Sequence, residues 1–174
     1  MLETERLILK PMTSADVSHL FELNSDPEVV RYTGDSLSHN LADAQRILND
    51  VVFPQFQKYQ MGRMSVFLKD GNYLGWCGLK FDPISTEVDL GYRFLKKFWG
   101  NGFATEASQA SLKYGFEHLK LKKILARSMP ENKASLKVIH KLGMTFRGLN
   151  LDANYPQGFL LYDLTDKEYQ LCKK

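Results

Sequence analysis

The sequence has few of the residues that would mark a stapled, metal-built or membrane-bound protein. Its 174 residues include two cysteines, Cys77 and Cys172. Two thiols cannot form the disulfide framework of a small secreted domain, nor a zinc centre without other ligands. The four histidines, His19, His39, His118 and His140, are scattered without ligand spacing, so no metal is expected. No uninterrupted apolar run approaches membrane-spanning length, and the opening residues MLETERLILK carry charge where a signal peptide needs an apolar stretch. A cytoplasmic chain with no membrane partner is predicted. The net charge of +3 is too small to argue for nucleic acid, although it suits a polyanion bound locally.

What is present fits one globular domain over residues 1–174. Hydrophobic residues make up 44% and charged residues 25%, and a chain of this length buries about 70% of its unfolded surface. Arg6 to Lys10 reads as a strand, and Thr13 or Ser14 can cap a helix that faces inward through Val17, Leu20 and Phe21. Ser25 to Asn40 is polar and turn-rich, a loop with at most one helical turn. Ala42 to Tyr59 has helical spacing that Pro54 should kink near Phe53. Three strands follow as an antiparallel meander: Met64 to Leu68, Tyr73 to Phe81 and Glu87 to Phe94, with Cys77 a small buried hydrophobe in the middle one. A long helix runs to about Leu119, and Lys123 to Met129 is a strand. A short helix lies between the cap Asn132 and the stop Gly143. Strands at Thr145 to Leu149 and Phe159 to Leu164 flank a DANYPQG loop. The order predicts an α/β (α+β) fold on one mixed sheet.

The chain is organised around Gly91 to Glu106, GYRFLKKFWGNGFATE. Here an alternating strand gives way to a helix through Gly100 and Gly102. Glycines let the backbone turn sharply, and the first turn of a helix carries unpaired N–H groups and partial positive charge. Strand, glycine turn and helix in that order can seat a phosphate or diphosphate, although two such glycines are also an ordinary tight turn.

The ordered set ETERLIL, DLGYRF, FWGNGFATEA, PENKASLKVIHKLGM and a closing apolar strand resembles the GCN5-related N-acetyltransferase (GNAT) family, most closely its ribosomal-protein N-terminal acetyltransferase (RimJ/RimL-type) branch. The resemblance spans nearly the whole chain. It implies a mostly antiparallel sheet of seven strands, splayed between the fourth and fifth, with about four helices and acetyl-CoA in the cleft. The family's phosphate motif, Q/R-x-x-G-x-G/A, falls on Lys97, Phe98, Trp99, Gly100, Asn101 and Gly102, with lysine in the first position. The helix start that follows, Phe103, Ala104 and Thr105, then completes the seat. The resemblance also assigns the backbone of Tyr92, Arg93 and Phe94 to the pantetheine arm, and Asn132 and Ser135 to the arm and the thioester. Helix capping is the alternative role for Asn132 and Ser135.

The implied reaction is attack of a primary amine on the acetyl thioester. An α-amine with an ordinary pKa near 8 is mostly protonated at neutral pH, so a base or an ordered water must take its proton. Asp89, on the polar side of its strand, is the candidate catalytic base, with Glu87 in reserve; the alternative for Asp89 is a strand carboxylate or a partner for Arg93. Ser135 is the candidate donor to the leaving thiolate, Tyr155 a possible acid, and a backbone N–H near Leu90 to Tyr92 a possible oxyanion donor. The branch favours a protein or peptide N-terminal amine, lying between the Ser25 to Asn40 and DANYPQG loops. Small amines such as polyamines, aminoglycosides or amino acids stay open, and Asp26, Glu28, Asp35 and Asp152 are the carboxylates that could meet a polycation. A non-catalytic CoA-binding module is the reading of another class, and monomer and homodimer are both compatible with the sequence.

Overall fold

The computed structural model describes residues 1–152 and 155–171; the side chains of residues 152–157 are outside that description, as is Cys172. The parts assigned above to the side chains of Asp152 and Tyr155 therefore fall outside the described residues.

A single sheet holds β1 (Leu2–Glu3), β2 (Leu7–Pro11), β3 (Arg63–Leu68), β4 (Tyr73–Asp82), β5 (Glu87–Phe94), β6 (Lys123–Ser128), β7 (Thr145–Asp152) and β8 (Tyr155–Thr165). Their order is β1-β2-β3-β4-β5-β6-β8-β7, eight strands among the described residues where seven were expected. The added strand is β1, whose Leu2 and Glu3 pair with Leu9 and Ile8; two residues are too few to show a period. Neighbours are antiparallel except β5 and β6, which run parallel and share one register pair, Asp89 with Leu125. The sheet opens there, at the junction expected to splay. β7 and β8 extend through most of the segment read as a DANYPQG loop, because inter-strand pairing reaches Asp152 and Tyr155 despite their turn-like composition.

The α-helices among the described residues are α1 (Val17–Ser25), α2 (Pro27–Val30), α3 (Leu41–Ile47), α4 (Phe53–Tyr59), α5 (Phe103–Lys113), α6 (Lys133–Lys141) and α7 (Asp166–Leu171), seven against about four expected. One of the extra helices comes from division. A π-type turn over Leu48–Val52 separates α3 from α4 just before Pro54, whose missing N–H breaks the regular ladder. α2 is the single turn anticipated in the polar stretch, opened by Asp26 Oδ1 accepting the Glu28 N–H at 2.9 Å. α7 was not expected.

Two packings hold these layers. On one face α5 and α6 bury Leu79, Leu90, Phe94, Ala107, Leu112, Ile124 and Ile139 against the sheet. On the other, α1 and α3 close over Met12, Leu20, Ala44, Leu48 and Val52. Each fully buried leucine or isoleucine contributes about 1.5–3 kcal/mol as an upper figure. Cys77 is wholly buried, its Sγ 3.6 Å from Ser111 Oγ, and burial pushes its thiol up.

Candidate active site

Gly100 and Gly102 both sit at φ 80°, the left-handed region that other residues enter only with strain. A Cβ at Gly100 would meet nothing within 4 Å, and one at Gly102 only Arg6 Nη2 at 3.6 Å, so the turn is open to solvent. Gly102 leads into α5 with no side-chain cap, and the first backbone bond of the helix is Glu106 N–H to Gly102 O at 3.1 Å. The preceding amides, of Phe103, Ala104 and Thr105, are the donors that a helix leaves for an outside acceptor. Behind its open mouth the turn is tied down. Trp99 Nε1 donates to Phe94 O at 2.7 Å, and Asn101 Nδ2 donates to Phe98 O and Trp99 O. Arg6 Nη1 donates to Asn101 O at 3.1 Å. Lys97 is exposed, its Nζ 3.9 Å from Glu22 Oε1.

From this turn the edge of β5 runs toward Asp89. Leu95 N–H bonds Leu74 O at 2.8 Å, and the β4 ladder keeps its register from Glu87 to Phe94. Odd-numbered residues of β5 therefore direct their backbone groups to β4, and Leu90, Tyr92 and Phe94 direct theirs to β6. Beyond the Asp89–Leu125 pair no register joins the two strands, which leaves the Tyr92 N–H facing the gap. The backbone of Arg93 faces β4, and the Phe94 carbonyl is taken by Trp99, so the three residues expected to meet the arm are not equivalent. On the α6 side the Tyr92 hydroxyl lies 2.9 Å from Ser135 Oγ and 3.2 Å from Ser135 O. Burial raises the Tyr92 phenol well above its ordinary range, against a smaller opposing effect of the Ser135 hydrogen bond, so it stays protonated. Asn132 Oδ1 accepts the Ser135 N–H at 3.0 Å as the cap of α6.

The opposite face of β5 carries a row of alternating charges and rings. Arg93, 6% exposed, donates to Asn24 Oδ1 and Asp35 Oδ2, while its buried Nε finds no partner among the described residues. Its guanidinium and that of Arg63 both lie over Trp76, at 5.4 and 5.2 Å. Arg63 reaches across Gly91, where a Cβ would stand 2.6 Å from Nη2, and donates to Asp89 Oδ2 at 2.6 Å and to Gly78 O. Arg127 Nη1 stands 3.8 Å from Asp89 Oδ1, with Phe159 beneath its guanidinium at 5.7 Å. Asp89 is thus partnered by Arg63 and Arg127, and the pairing with Arg93 weighed from sequence is not formed. Glu87 pairs with Lys123 at 2.8 Å.

Residues 6–145 match the family model described as an acetyltransferase (GNAT) domain. An "Uncharacterized N-acetyltransferase p20" of Bacillus licheniformis is 32% identical, with 97% of each chain covered. The chain belongs to the GNAT acetyltransferase family. A solved GNAT-family acetyltransferase of Bacillus anthracis superposes with a TM-score of 0.83 at 25% identity, covering 96% of this chain and 99% of that one. The spermidine N-acetyltransferase of Vibrio cholerae, solved with CoA and spermine, gives a TM-score of 0.80 at 18% identity and covers 96% of this chain and 99% of that one. The protein is an acetyl-CoA-dependent N-acetyltransferase that acts on an amine.

In this acetyltransferase β5 links these parts: Tyr92 meets Ser135 of α6 on one face, Asp89 lies on the other, and the strand leads into the turn from Lys97 to Gly102 and the head of α5. Arg6, Arg63, Trp76 and Arg127 were missed from sequence. A signal for two of them was present: Arg63 opens a strand, and Arg127 shares the parity of the polar Lys123 in KILARS. That parity selects a face, but nothing local says that the face borders a gap.

Proposed function

We propose that this acetyltransferase takes the α-amine at a peptide or protein N-terminus as its acceptor. One observation carries the choice over a polyamine: among the described residues, the carboxylates that a polycation would need already have partners. Glu28 pairs with Lys96, Asp35 with Arg93, and Asp26 caps α2. Recognition of several cations needs several uncommitted carboxylates. The Vibrio cholerae neighbour binds spermine in its own structure, but at 18% identity it bears on the fold alone.

Under this reading the amides of Phe103, Ala104 and Thr105, with Lys97 as a point charge, hold the diphosphate of acetyl-CoA. Tyr92 N–H supports the pantetheine or the thioester oxygen. Asp89 Oδ2 is occupied by Arg63, so Oδ1 receives the amine proton, directly or through a water. The amine nitrogen then bonds the acetyl carbon and the carbonyl electron pair moves to oxygen. As the carbonyl re-forms, the C–S bond breaks and the thiolate leaves with its electrons, met by a hydrogen bond from Ser135 before it takes up the second proton released by the attacking nitrogen.

Thiol release from acetyl-CoA, measured across N-terminal peptides, polyamines and aminoglycosides, tests the proposal. Peptides are expected to give the highest kcat/KM, and the peptide product to carry its acetyl group on the α-nitrogen. Preference for spermidine, or acetylation confined to lysine side chains, would overturn it.

A further inference from the structure

We infer that the acceptor carries a carboxylate close to its amine and that Arg127 receives it. The inference rests on the proposal that the acceptor amine approaches Asp89, and it names what lies beside that amine.

The arginines on this face differ in how their donors are used. Arg63 donates to Gly78 O, Asp89 O and Asp89 Oδ2. Arg93 donates to Asn24 and Asp35. Both are committed. Arg127, with a side chain 32% exposed, makes no side-chain hydrogen bond among the described residues; its ion-pair contact is the 3.8 Å approach to Asp89 Oδ1. A guanidinium offers five N–H donors in a planar fork that fits a carboxylate at two points. Beyond the 3.8 Å ion pair with Asp89 and a weaker attraction to Asp82, the donors of that fork have no partner among the described residues.

Its position fits the role. Leu125 is the partner of Asp89 across the β5–β6 gap, and Arg127 stands two residues farther along β6 on the same face, just past the last register pair. An amine delivered to Asp89 Oδ1 would bring its neighbouring substituent to this guanidinium, with Phe159 as a floor. The surrounding charges agree. Lys80, the strand partner of Asp89, has no ion pair among the described residues. Glu87 is closed by Lys123, Asp163 by Arg147, and Asp82 accepts from Ile84 N–H and Ser85 Oγ. Among the described residues, Arg63, Arg127 and Lys80 around Asp89 give a local excess of positive charge that attracts an anion and disfavours a polyamine, with Asp82 as the opposing carboxylate within range of Arg127.

The carboxylate can come from an acidic side chain at the first or second position of a peptide, or from the α-carboxylate of a free amino acid. The test compares matched peptides with Asp, Asn or Lys at the first or second position, free amino acids against their amides, and spermidine, all with the full chain and acetyl-CoA. Acidic peptides are expected to exceed their amide isosteres by roughly tenfold or more in kcat/KM, as a charge-assisted hydrogen-bonded pair gives. That ratio should fall to near one in Arg127→Gln and be partly kept in Arg127→Lys. The CoA-induced rise in melting temperature confirms that each variant is folded. Preference for free amino acids over their amides would assign the α-carboxylate as the source. Equal use of Asp and Asn peptides, or an acidic preference that survives Arg127→Gln, would overturn the inference while leaving the peptide reading intact. Spermidine as the best acceptor, or no turnover of any peptide, would overturn both.

Discussion

Arg6 and Glu106, one hundred positions apart, meet with Nε donating to Oε2 at 2.6 Å. Thr4 Oγ1 and the Arg6 amide both donate to the other oxygen, at 2.6 and 2.9 Å, and Arg6 also holds Asn101 O. The start of the chain thereby braces the glycine turn and the first helical turn behind it. Because the pair is partly exposed, its loss should cost only about 0.2–1 kcal/mol of stability. Its effect should appear in ligand affinity. Arg6→Ala is expected to weaken CoA binding about tenfold, the result of a loosened diphosphate seat, with little change in melting temperature. Calorimetric titration of CoA measures this, and an unaltered affinity would leave the brace without that role.

The same cluster sets a pH response. Partial burial works against the Glu106 charge, but hydrogen bonds from Thr4 and from the backbone and side chain of Arg6 outweigh it and hold the carboxyl below its ordinary range. A carboxyl lowered in the folded state stabilises above its unfolded pKa of about 4.3, and that contribution disappears as pH falls through the folded value. Denaturation midpoints taken from pH 7 down to pH 3 should therefore fall more steeply for the native chain than for Glu106→Gln. Parallel curves for the two proteins would remove Glu106 from the acid response.

The glycine turn and the short capped α6 were legible because each is encoded within a few neighbouring residues. Gly143, at φ 71°, ends α6 as its sequence announced, with its N–H on His140 O. Tyr92 and Ser135 could be named, but their contact spans 43 positions and has no local signature. Arg93 shows the limit. Parity placed it on the polar face beside Asp89, yet the fold turns it to Asn24 and Asp35 and gives Asp89 to Arg63 and Arg127. Which cation reaches which carboxylate depends on strand order and on Gly91 leaving a path, and neither can be read from any single segment. β1 and α7 escaped because they are short elements stabilised by packing and pairing with distant parts of the chain.

Ser135 and Tyr92 should separate chemistry from binding. If the Ser135 hydroxyl meets the leaving thiolate, Ser135→Ala lowers kcat by about tenfold or more while the Kd for CoA changes little. Tyr92→Phe removes the partner of that hydroxyl but no needed proton, since burial keeps the phenol protonated throughout the working range. Its pH–rate profile should keep the native shape, with kcat lowered by only a few fold. A large loss of CoA affinity in Ser135→Ala would instead assign the residue to the cap and the arm.

Gly91 permits a test of the Asp89 assignment that leaves the carboxylate in place. An alanine Cβ there would stand 2.6 Å from Arg63 Nη2 and 2.7 Å from Cζ. Those atoms end a flexible side chain, so Arg63 should swing away and the strand should hold. Asp89 then loses its 2.6 Å partner and its fixed orientation. Asp89→Asn, which cannot accept the amine proton as a carboxylate does, is expected to lower kcat by about a hundredfold. Gly91→Ala should lower it by a smaller factor, about tenfold, because the base remains but is no longer held in place. CoA should bind both variants as it binds the native chain, since the diphosphate seat lies at the other end of β5. A Gly91→Ala enzyme with native kcat would mean that Arg63 does not position Asp89, and an Asp89→Asn enzyme with native kcat would move the proton to water or to Glu87.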